Sequence, residues 1–361
     1  MANMTKYQKL QTVLKAELSS GRFQVGDRFY TEREIMDKYQ VSGITVARAL
    51  SEMTEQGYFE RKRKLGTFVK ESPEMPGMSG CLMTRPLYIN RCAFGDDAGE
   101  PQDGISWFVI EEIRRGIINT YPGSVKIVDM DTIIREAADH PDLLTILLPQ
   151  YISNYMEDYV PGCPANTIEI DLPPRQYRSV NAVRPNYLVG VYQAMEHLIQ
   201  LGHTRIGFLG RPELTNRFAA YRIAFETYGL PMNPEWICRD NAMLSEEDGA
   251  REMDRLLHLK NRPSAVFCGT DKLALGAMRR ALDQGIRIPE ELSLVGFDNI
   301  DASSKTPIPL STVNVPRYEL GEAAVKLLFE RLKTGKDQPI KTVMTDFIIR
   351  KSTAPNKGGS K

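Results

Sequence analysis

The sequence predicts a protein of the α/β class, in which a small winged helix-turn-helix precedes a larger part made of two lobes of doubly wound parallel sheet. Three observations support this. Residues 1–70 show three helical patterns followed by a β-hairpin pattern. Residues 71–84 are rich in proline and glycine, as linkers are. From residue 85 onwards, short apolar runs alternate with helical patterns, which indicates strands joined by crossover helices.

The composition is that of a globular protein of more than one domain, with 361 residues, 42% of them hydrophobic and 25% charged. No run approaches the roughly 20 apolar residues of a membrane span, and the start MANMTKYQKL lacks a signal-peptide core. We therefore expect a cytoplasmic protein with no membrane partner. The five cysteines are scattered and include no C-x-x-C pair, so neither disulfides nor a zinc site is predicted.

Charge is distributed unevenly along the chain, although the totals of basic and acidic residues are equal at 46 each. Residues 1–70 carry a balance of +5, and the remainder carries −5. A basic head on a mildly acidic body is typical of a polyanion-binding module joined to a part that does not bind polyanions.

Three helices are predicted in the head. The first covers about residues 5–19, and the second begins at Thr31, whose hydroxyl and the Glu34 carboxylate form the reciprocal hydrogen bonds of a capping box. This helix runs to about Tyr39, and Ser42 then caps a third helix after a two-residue connection. Two short helices joined so tightly form a helix-turn-helix, whose second helix can enter the major groove of DNA.

The third helix has one apolar face, which includes Val46 and Leu50. A helical wheel places Ile44, Arg48 and Ser51 on the opposite face. We expect Arg48 to hydrogen-bond a base edge and Ile44 to contact a thymine methyl group.

A β-hairpin with a basic tip follows the third helix, with strand patterns over residues 58–61 and 67–70. Gly66 permits the tight turn. Such a wing can lay its cations along DNA phosphates, and a solvated basic hairpin is the alternative interpretation. Its consecutive cations are Arg61, Lys62, Arg63 and Lys64.

The segment TEREIMDKYQVSGITVARALSEMTEQGYFERKRKLGTFVK resembles the DNA-binding domain of the gluconate-repressor (GntR) family, over roughly residues 4–70. The resemblance implies homodimers that bind pseudo-palindromic operators in double-stranded DNA. Gly43 and Ala47 stand where the family usually has arginine, so two expected DNA contacts are missing. The residues assigned to the DNA interface are Thr31, Arg33, Ser42, Gly43, Ile44, Thr45, Arg48, Ser51, Arg61, Lys62, Arg63, Lys64, Gly66 and Thr67.

The larger part, residues 85–361, is expected to form two lobes and to mediate dimerisation. Lobe 1 is assigned to about residues 85–183 and 312–340, and lobe 2 to about residues 184–311 and 341–354. In doubly wound sheets, ligands bind beyond the carboxyl ends of the strands. The polar residues that follow predicted strands of lobe 2 are Arg211, Arg217, Thr270, Asp271, Asp298 and Asn299.

A second resemblance covers roughly residues 85–354 and is carried by EHLIQLGHTRIGFLG, RPSAVFCGTDKLALGAMRRALDQGIRIPEELSLVGFDNID and PLSTVNVPRYELGEAAVKLL. These stretches resemble the effector domain of the lactose/galactose-repressor (LacI/GalR) family, which shares its fold with periplasmic sugar-binding proteins. The resemblance implies that Arg217, Asp271 and Asp298 bind the hydroxyls of an effector, with Thr270 and Asn186 replacing residues usual in the family. Arg91 and Phe94 are the lobe 1 candidates.

Each acidic candidate also has a structural interpretation, because Asp271 could cap the helix that follows it and Asp298 could hold a turn. Phosphate-loop, dinucleotide, zinc-protease and serine-hydrolase motifs do not occur in the sequence. His197 and His203 are not at a spacing typical of metal ligands. We therefore expect no catalysis, no cofactor and no metal.

Together the two resemblances predict a transcriptional regulator, in the first instance a repressor, that binds DNA and is controlled by a small molecule of the sugar class. Two alternatives remain open from the sequence. One is a cytoplasmic sugar sensor whose DNA-binding head has degenerated, as Gly43 and Ala47 suggest. The other is a solute-binding protein of the same two-lobed fold.

Overall fold

The structure is a computed structural model that describes residues 6–19, 23, 26–55, 57–62, 65–70, 85–90, 104–148, 164–171, 181–211, 216–238 and 245–356. The chain divides into two compact units. The first consists of Met1–Asp97, Ile110–Val183 and Tyr318–Lys341. The second consists of Ala98–Val109, Arg184–Arg317 and Thr342–Lys361.

The first unit begins with three helices and a hairpin, as the sequence predicts. These elements are α1 (Lys6–Ser19), α2 (Glu32–Tyr39), α3 (Gly43–Glu55), β1 (Phe59–Lys62) and β2 (Gly66–Val69). They share a core of buried apolar side chains that includes Leu14, Ile35, Leu50 and Phe59. The predicted capping box is present at the start of α2, where the Glu34 amide donates to Thr31 Oγ1 at 3.2 Å.

The wing has an additional antiparallel bridge that the sequence analysis missed. The Phe29 amide donates to the Thr67 carbonyl at 2.8 Å, and the Val69 amide donates to the Asp27 carbonyl at 2.9 Å. Arg28 thereby forms an antiparallel bridge with Phe68. The segment between α1 and α2 therefore supports the hairpin along one edge.

The first unit also contains most of a six-stranded sheet in the order β12-β7-β6-β5-β3-β4. The strands from β3 to β7 run parallel to their neighbours, as the alternating sequence pattern predicts. Its strands are β3 (Leu87–Asn90), β4 (Val125–Val128), β5 (Leu144–Leu147), β6 (Asn166–Ile170), β7 (Ala182–Asn186) and β12 (Lys341–Met344). Its helices are α4 (Gly104–Thr120), α5 (Met130–Asp139) and the long α11 (Arg317–Thr334), which begins at the last residue of the second unit.

The second unit is built on a five-stranded sheet in the order β13-β11-β10-β9-β8, parallel except for β13. Its strands are β8 (Ile206–Leu209), β9 (Ala265–Cys268), β10 (Ser293–Asp298), β11 (Ser311–Asn314) and β13 (Asp346–Ile348). Its helices are α6 (Tyr187–Gln200), α7 (Asn216–Thr227), α8 (Glu246–Leu257), α9 (Asp271–Asp283) and the short α10 (Asp301–Lys305).

The chain leaves the second unit later than the sequence suggested. Lobe 1 was expected to resume at residue 312, but β11 pairs in parallel with β10 along Ser311–Asn314. The division between the units falls after Arg317. The strand remains in the second unit because its side chains at residues 311–313 are buried there.

In the described part of the chain, no helix combines the length and apolar character needed to cross a membrane.

Candidate functional site

The first candidate site is the exposed face of α3. Ile44 is 85% exposed, and Arg48 and Ser51 also lie at the surface, whereas Val46 and Leu50 are fully buried. The helical wheel is confirmed in this respect, since the face opposite the core carries the three predicted residues. An α3 surface of this kind has the shape and side chains of a DNA-recognition helix.

Arg48 already has partners within the protein. Its Nε lies 3.0 Å from Glu52 Oε1, one turn along α3, and its guanidinium carbon lies 3.9 Å from the centre of the Tyr7 ring. Because Glu52 lies beside it, the pKa of Arg48 is raised. Arg48 donates to Glu52 through Nε and to Tyr7 through Nη2, and a guanidinium with five N–H donors can hydrogen-bond a base without losing these contacts.

The start of α3 is occupied by small polar residues. The Ser42 and Thr45 hydroxyls lie 2.9 Å apart, and the Thr45 amide approaches Ser42 Oγ at 3.4 Å. A Cβ atom on Gly43 would lie 3.4 Å from the sulfur of Met36, so α2 and α3 pack closely there. The family that this segment resembles usually has arginine at this position. In this protein, Met36 lies beside the space that an arginine side chain would occupy.

The wing presents a second set of cations close to α2. Arg61 pairs with Glu32 at 3.1 Å, and Lys62 lies 5.1 Å from the centre of the Phe68 ring. Gly66 has a φ of +117°, and a Cβ atom there would lie 3.0 Å from Arg28 Nε. Arg28 is thus a wing cation that the sequence analysis missed, because the bridge that joins it to the wing was not recognised.

The remaining candidates of the head vary in position. Thr31 and Arg33 are exposed at the start of α2, although Thr31 is engaged in the capping box. Thr67 is half-buried in β2. Arg63 and Lys64, the predicted tip of the wing, lie outside the described residues.

The second candidate site lies at the carboxyl end of β10, in the second unit. Asp298 is only 7% exposed, and its Oδ1 accepts a hydrogen bond from Arg317 Nη2 at 2.8 Å. Arg217 Nη2 lies 3.9 Å from the same oxygen. Within the described residues, no donor lies within hydrogen-bond distance of Asp298 Oδ2. The structure therefore brings Arg217 and Asp298 together, as expected, and adds Arg317, which the sequence analysis missed.

Aromatic rings flank this charged group. The guanidinium of Arg217 lies 3.9 Å from the centre of the Phe297 ring and 5.4 Å from that of Tyr187, and it donates to the Gly269 carbonyl. Stacking and the carbonyl contact fix the plane of the guanidinium at the start of α7. The site thus combines a fixed donor and a carboxylate acceptor beside the partly exposed ring of Tyr187, whereas the Phe297 ring is buried.

Asp271 differs from this pair because it is wholly buried, with no exposed surface. Its Oδ1 accepts from the Thr312 hydroxyl at 2.6 Å, and its Oδ2 accepts from the Ile300 amide at 2.9 Å. Burial raises the pKa of the carboxyl to about 7. In this conformation Asp271 contacts no solvent, so the direct contact with an effector expected of it is not what the structure presents.

The other candidates have mainly structural partners. Thr270, rather than Asp271, caps α9 by accepting from the Leu273 amide at 3.2 Å. Asn186 precedes α6 and its Nδ2 lies 3.6 Å from the sulfur of Met344. Arg91 and Phe94 lie outside the described residues. No cluster of three or more potential metal ligands occurs within the ranges that the structure describes.

The two sites lie on a winged helix-turn-helix and on a doubly wound sheet domain. Residues 6–69 match the family model for bacterial regulatory proteins of the gntR family. Residues 195–353 match the model for a periplasmic binding protein-like domain. The chain thus joins a segment similar to the gntR family to a segment similar to a periplasmic binding protein-like domain.

Curated relatives are transcriptional repressors. The chain is 35% identical over 232 residues to the HTH-type transcriptional repressor CytR of Escherichia coli K12, a match that covers 62% of this chain and 65% of that protein. It is 37% identical over 174 residues to the repressor PurR of Mannheimia succiniciproducens, covering 46% of this chain and 51% of that protein. The chain therefore spans about half to two thirds of the length of these relatives.

Solved structures share the fold. A LacI family transcriptional regulator from Mycobacterium smegmatis aligns with a TM-score of 0.60 at 22% identity, covering 75% of this chain and 100% of that one. A LacI family regulator from Enterococcus faecium with bound ribose aligns with a TM-score of 0.59 at 24% identity, covering 76% and 100%. The complex of the regulator CelR with cellobiose aligns with a TM-score of 0.60 at 18% identity, covering 87% and 92%. These matches confirm the predicted fold class.

Proposed function

We propose that this chain is a cytoplasmic transcriptional repressor that binds operator DNA and is controlled by a small-molecule effector. The observation that carries the proposal is the exposed face of α3, where Ile44 and its neighbours stand free of the core on a helix of a gntR-type domain. An apolar side chain exposed to this degree on a recognition helix is suited to a thymine methyl group. The repressor names of the curated relatives support the same role.

The effector, in this proposal, binds at the carboxyl end of β10. Arg217 supplies hydrogen-bond donors, the Asp298 carboxylate supplies an acceptor, and the partly exposed Tyr187 ring lies beside Arg217. Vicinal hydroxyls both donate and accept, and sugar rings present an apolar face, so this combination fits a sugar. The related regulators solved with ribose and with cellobiose support that ligand class.

A homodimer follows from the mode of DNA recognition. A single winged helix contacts one half-site, and pairing two of them on a pseudo-palindromic operator multiplies both affinity and specificity. Sedimentation of the full chain at micromolar concentration is expected to give a dimer, and a monomer would contradict this part of the proposal. No catalytic activity is included in the proposal.

Selection of bound sequences from a pool of random duplexes tests the DNA-binding proposal. We expect enrichment of a motif with two related halves, and binding to it that weakens steeply with salt. Gly43 and Ala47, which replace arginines usual in the gntR family, favour a second candidate, a sensor with a degenerate head. That candidate predicts no enriched motif, together with unimpaired sugar binding by the full chain.

A further inference from the structure

The turn that follows β10 has an unusual backbone. Asp298 has a φ of 109° and Asn299 a φ of 52°, so two consecutive residues other than glycine adopt positive values. Residues other than glycine rarely hold such conformations unless their surroundings fix them. The turn also sets the direction of the Asp298 carboxylate, which is the acceptor in the proposed ligand site.

Side chains fix this turn from two directions. Arg317 donates both to the Asp298 carboxylate and to its backbone carbonyl. Asn299 donates to Asn314 Oδ1 at 3.0 Å and accepts from Arg350 Nη2 at 2.6 Å. These contacts orient the side chains of the turn. They do not involve the backbone amide of Ile300, at the end of the turn, which has another partner.

That partner is Asp271, which reaches the turn from beneath. Its Oδ2 accepts from the Ile300 amide at 2.9 Å, while its Oδ1 accepts from Thr312 on the adjacent strand. Gly296 makes the approach possible, since a Cβ atom there would lie 2.1 Å from Asp271 Oδ1. The carboxylate thus joins the start of α9, the end of the turn and β11.

We propose that Asp271 is a positioning residue of the ligand site, which holds the turn of residues 298–300 and so directs Asp298 without itself touching the ligand. The inference rests on the proposed function only in naming Asp298 as the ligand acceptor. The hold on the turn is a property of the protein alone and is tested separately.

Asp271 could act by holding the turn or by contacting the ligand, and these two roles differ in whether asparagine can replace the aspartate. The carboxamide oxygen of Asn can accept from the Ile300 amide, and its Nδ2 can donate to Thr312, whose hydroxyl rotates to accept. A residue that works by holding the turn therefore tolerates Asp271→Asn. Asp271→Leu, of similar volume, removes both hydrogen bonds and leaves the Ile300 amide buried without an acceptor.

Amide hydrogen exchange of the full chain without ligand tests whether Asp271 holds the turn of residues 298–300. For peptides that cover residues 296–302, we expect exchange in Asp271→Leu to be about tenfold faster or more, while Asp271→Asn stays within about threefold of the wild type. Asp283→Leu, at the exposed end of the same helix, is the matched control and should not change these peptides. If Asp271→Leu does not fold, Asp271→Ala removes the same acceptor with a smaller side chain and should accelerate the same peptides. Unchanged exchange in the folded variants, or equal acceleration by Asn and Leu, overturns the proposal.

Calorimetric titration with D-ribose as the probe tests the consequence for binding. We expect Asp271→Asn to retain the affinity within about threefold and Asp271→Leu to lose about tenfold or more. Equal losses in both variants would mean that Asp271 contacts the ligand and would overturn the proposal. If the wild type does not bind ribose, ribose is excluded as the effector, and the exchange result alone decides the role of Asp271.

Discussion

Ile44 is the most exposed large apolar side chain of the described residues, at 85%. Its neighbours on the inner face of α3 are fully buried, so the exposure is a property of this face and not of a loosely packed helix. Nothing in the fold of the head requires isoleucine here, since it contributes little to the core. A role in contacting DNA explains why the position is apolar.

Replacing Ile44 by serine is expected to weaken binding to the selected operator roughly fivefold, because about 1 kcal/mol of contact with a thymine methyl group is lost. The thermal stability of the protein should remain within about 0.5 kcal/mol of the wild type, since the side chain is exposed. Fluorescence anisotropy on the operator and on a scrambled duplex measures the effect. Leu282→Ser, at an exposed position of α9, is the control, and equal loss on both duplexes for Ile44→Ser would argue against a base contact.

The buried carboxyl group of Asp271 should make the stability of the folded protein depend on pH. Burial raises its pKa from the ordinary value of 3.8 to about 7, so the folded state holds a proton that the unfolded state releases between these values. The contribution of this bound proton to the free energy of unfolding is present in full below pH 3.8 and is lost as the pH rises through 7. Asp271→Asn removes this dependence. The melting temperature of the wild type minus that of Asp271→Asn should therefore fall as the pH is raised from 5 to 8.

Differential scanning calorimetry of the two proteins across this range provides the measurement. Burial lowers the pKa of His203, but this effect is common to both proteins and cancels in the difference. A difference that is constant with pH would show that the Asp271 carboxyl titrates at an ordinary value.

The sequence located Arg217 and Asp298 but not their surroundings. Both follow strands in the doubly wound pattern, and the carboxyl ends of parallel strands meet at one edge, so their proximity was predictable. Arg317 was missed because it opens a helix far along the chain, where no local pattern indicates a contact with Asp298. The burial of Asp271 was missed because only the packed sheet shows that β11 and the turn after β10 enclose it.

Among the elements, the wing shows what a local pattern can and cannot reveal. The hairpin was predictable from its alternating strands and its glycine, and it is present. The bridge at Arg28 is too short to show alternation in the sequence, and only the hydrogen bonds of its neighbours to β2 reveal it. The wing is therefore a firmer support for its cations than a lone hairpin.

Lys62 in β1 provides the test of the wing. We expect Lys62→Ala to weaken binding to all duplexes alike and to lower the slope of log affinity against log salt by about 0.9, as the loss of one phosphate contact does. Titrations of operator and scrambled duplex at several salt concentrations measure the slope. Lys260→Ala, at an exposed position of the second unit, should leave it unchanged. An unaltered slope for Lys62→Ala would place this lysine outside the interface.

For the whole molecule, the alternation of strands and helices predicted both the fold class and the parallel pairing of most strands, whereas β13 pairs antiparallel with β11. The lobe boundary was less accessible, because β11 pairs with β10 rather than returning to the first sheet. Apolar patterns identify a strand but do not specify which of two similar sheets it joins. The DNA-binding role proposed for the head and the ligand-binding role proposed for the second unit together involve both parts of the chain.

We propose that a ligand at the second-unit site alters DNA binding by the head. A ligand can do so only by binding one state of the protein more tightly, and couplings of this kind are typically about 1 to 3 kcal/mol. The most direct measurement is a titration of the selected operator by the full chain, with and without each sugar of a panel that includes ribose and cellobiose. Arg217→Ala removes a donor of the ligand site and leaves the head intact. We expect at least one sugar to change the affinity of the wild type for the operator about fivefold or more. We expect Arg217→Ala to bind the operator normally but not to respond to that sugar. A variant that responds to the sugar as the wild type does would contradict this proposal.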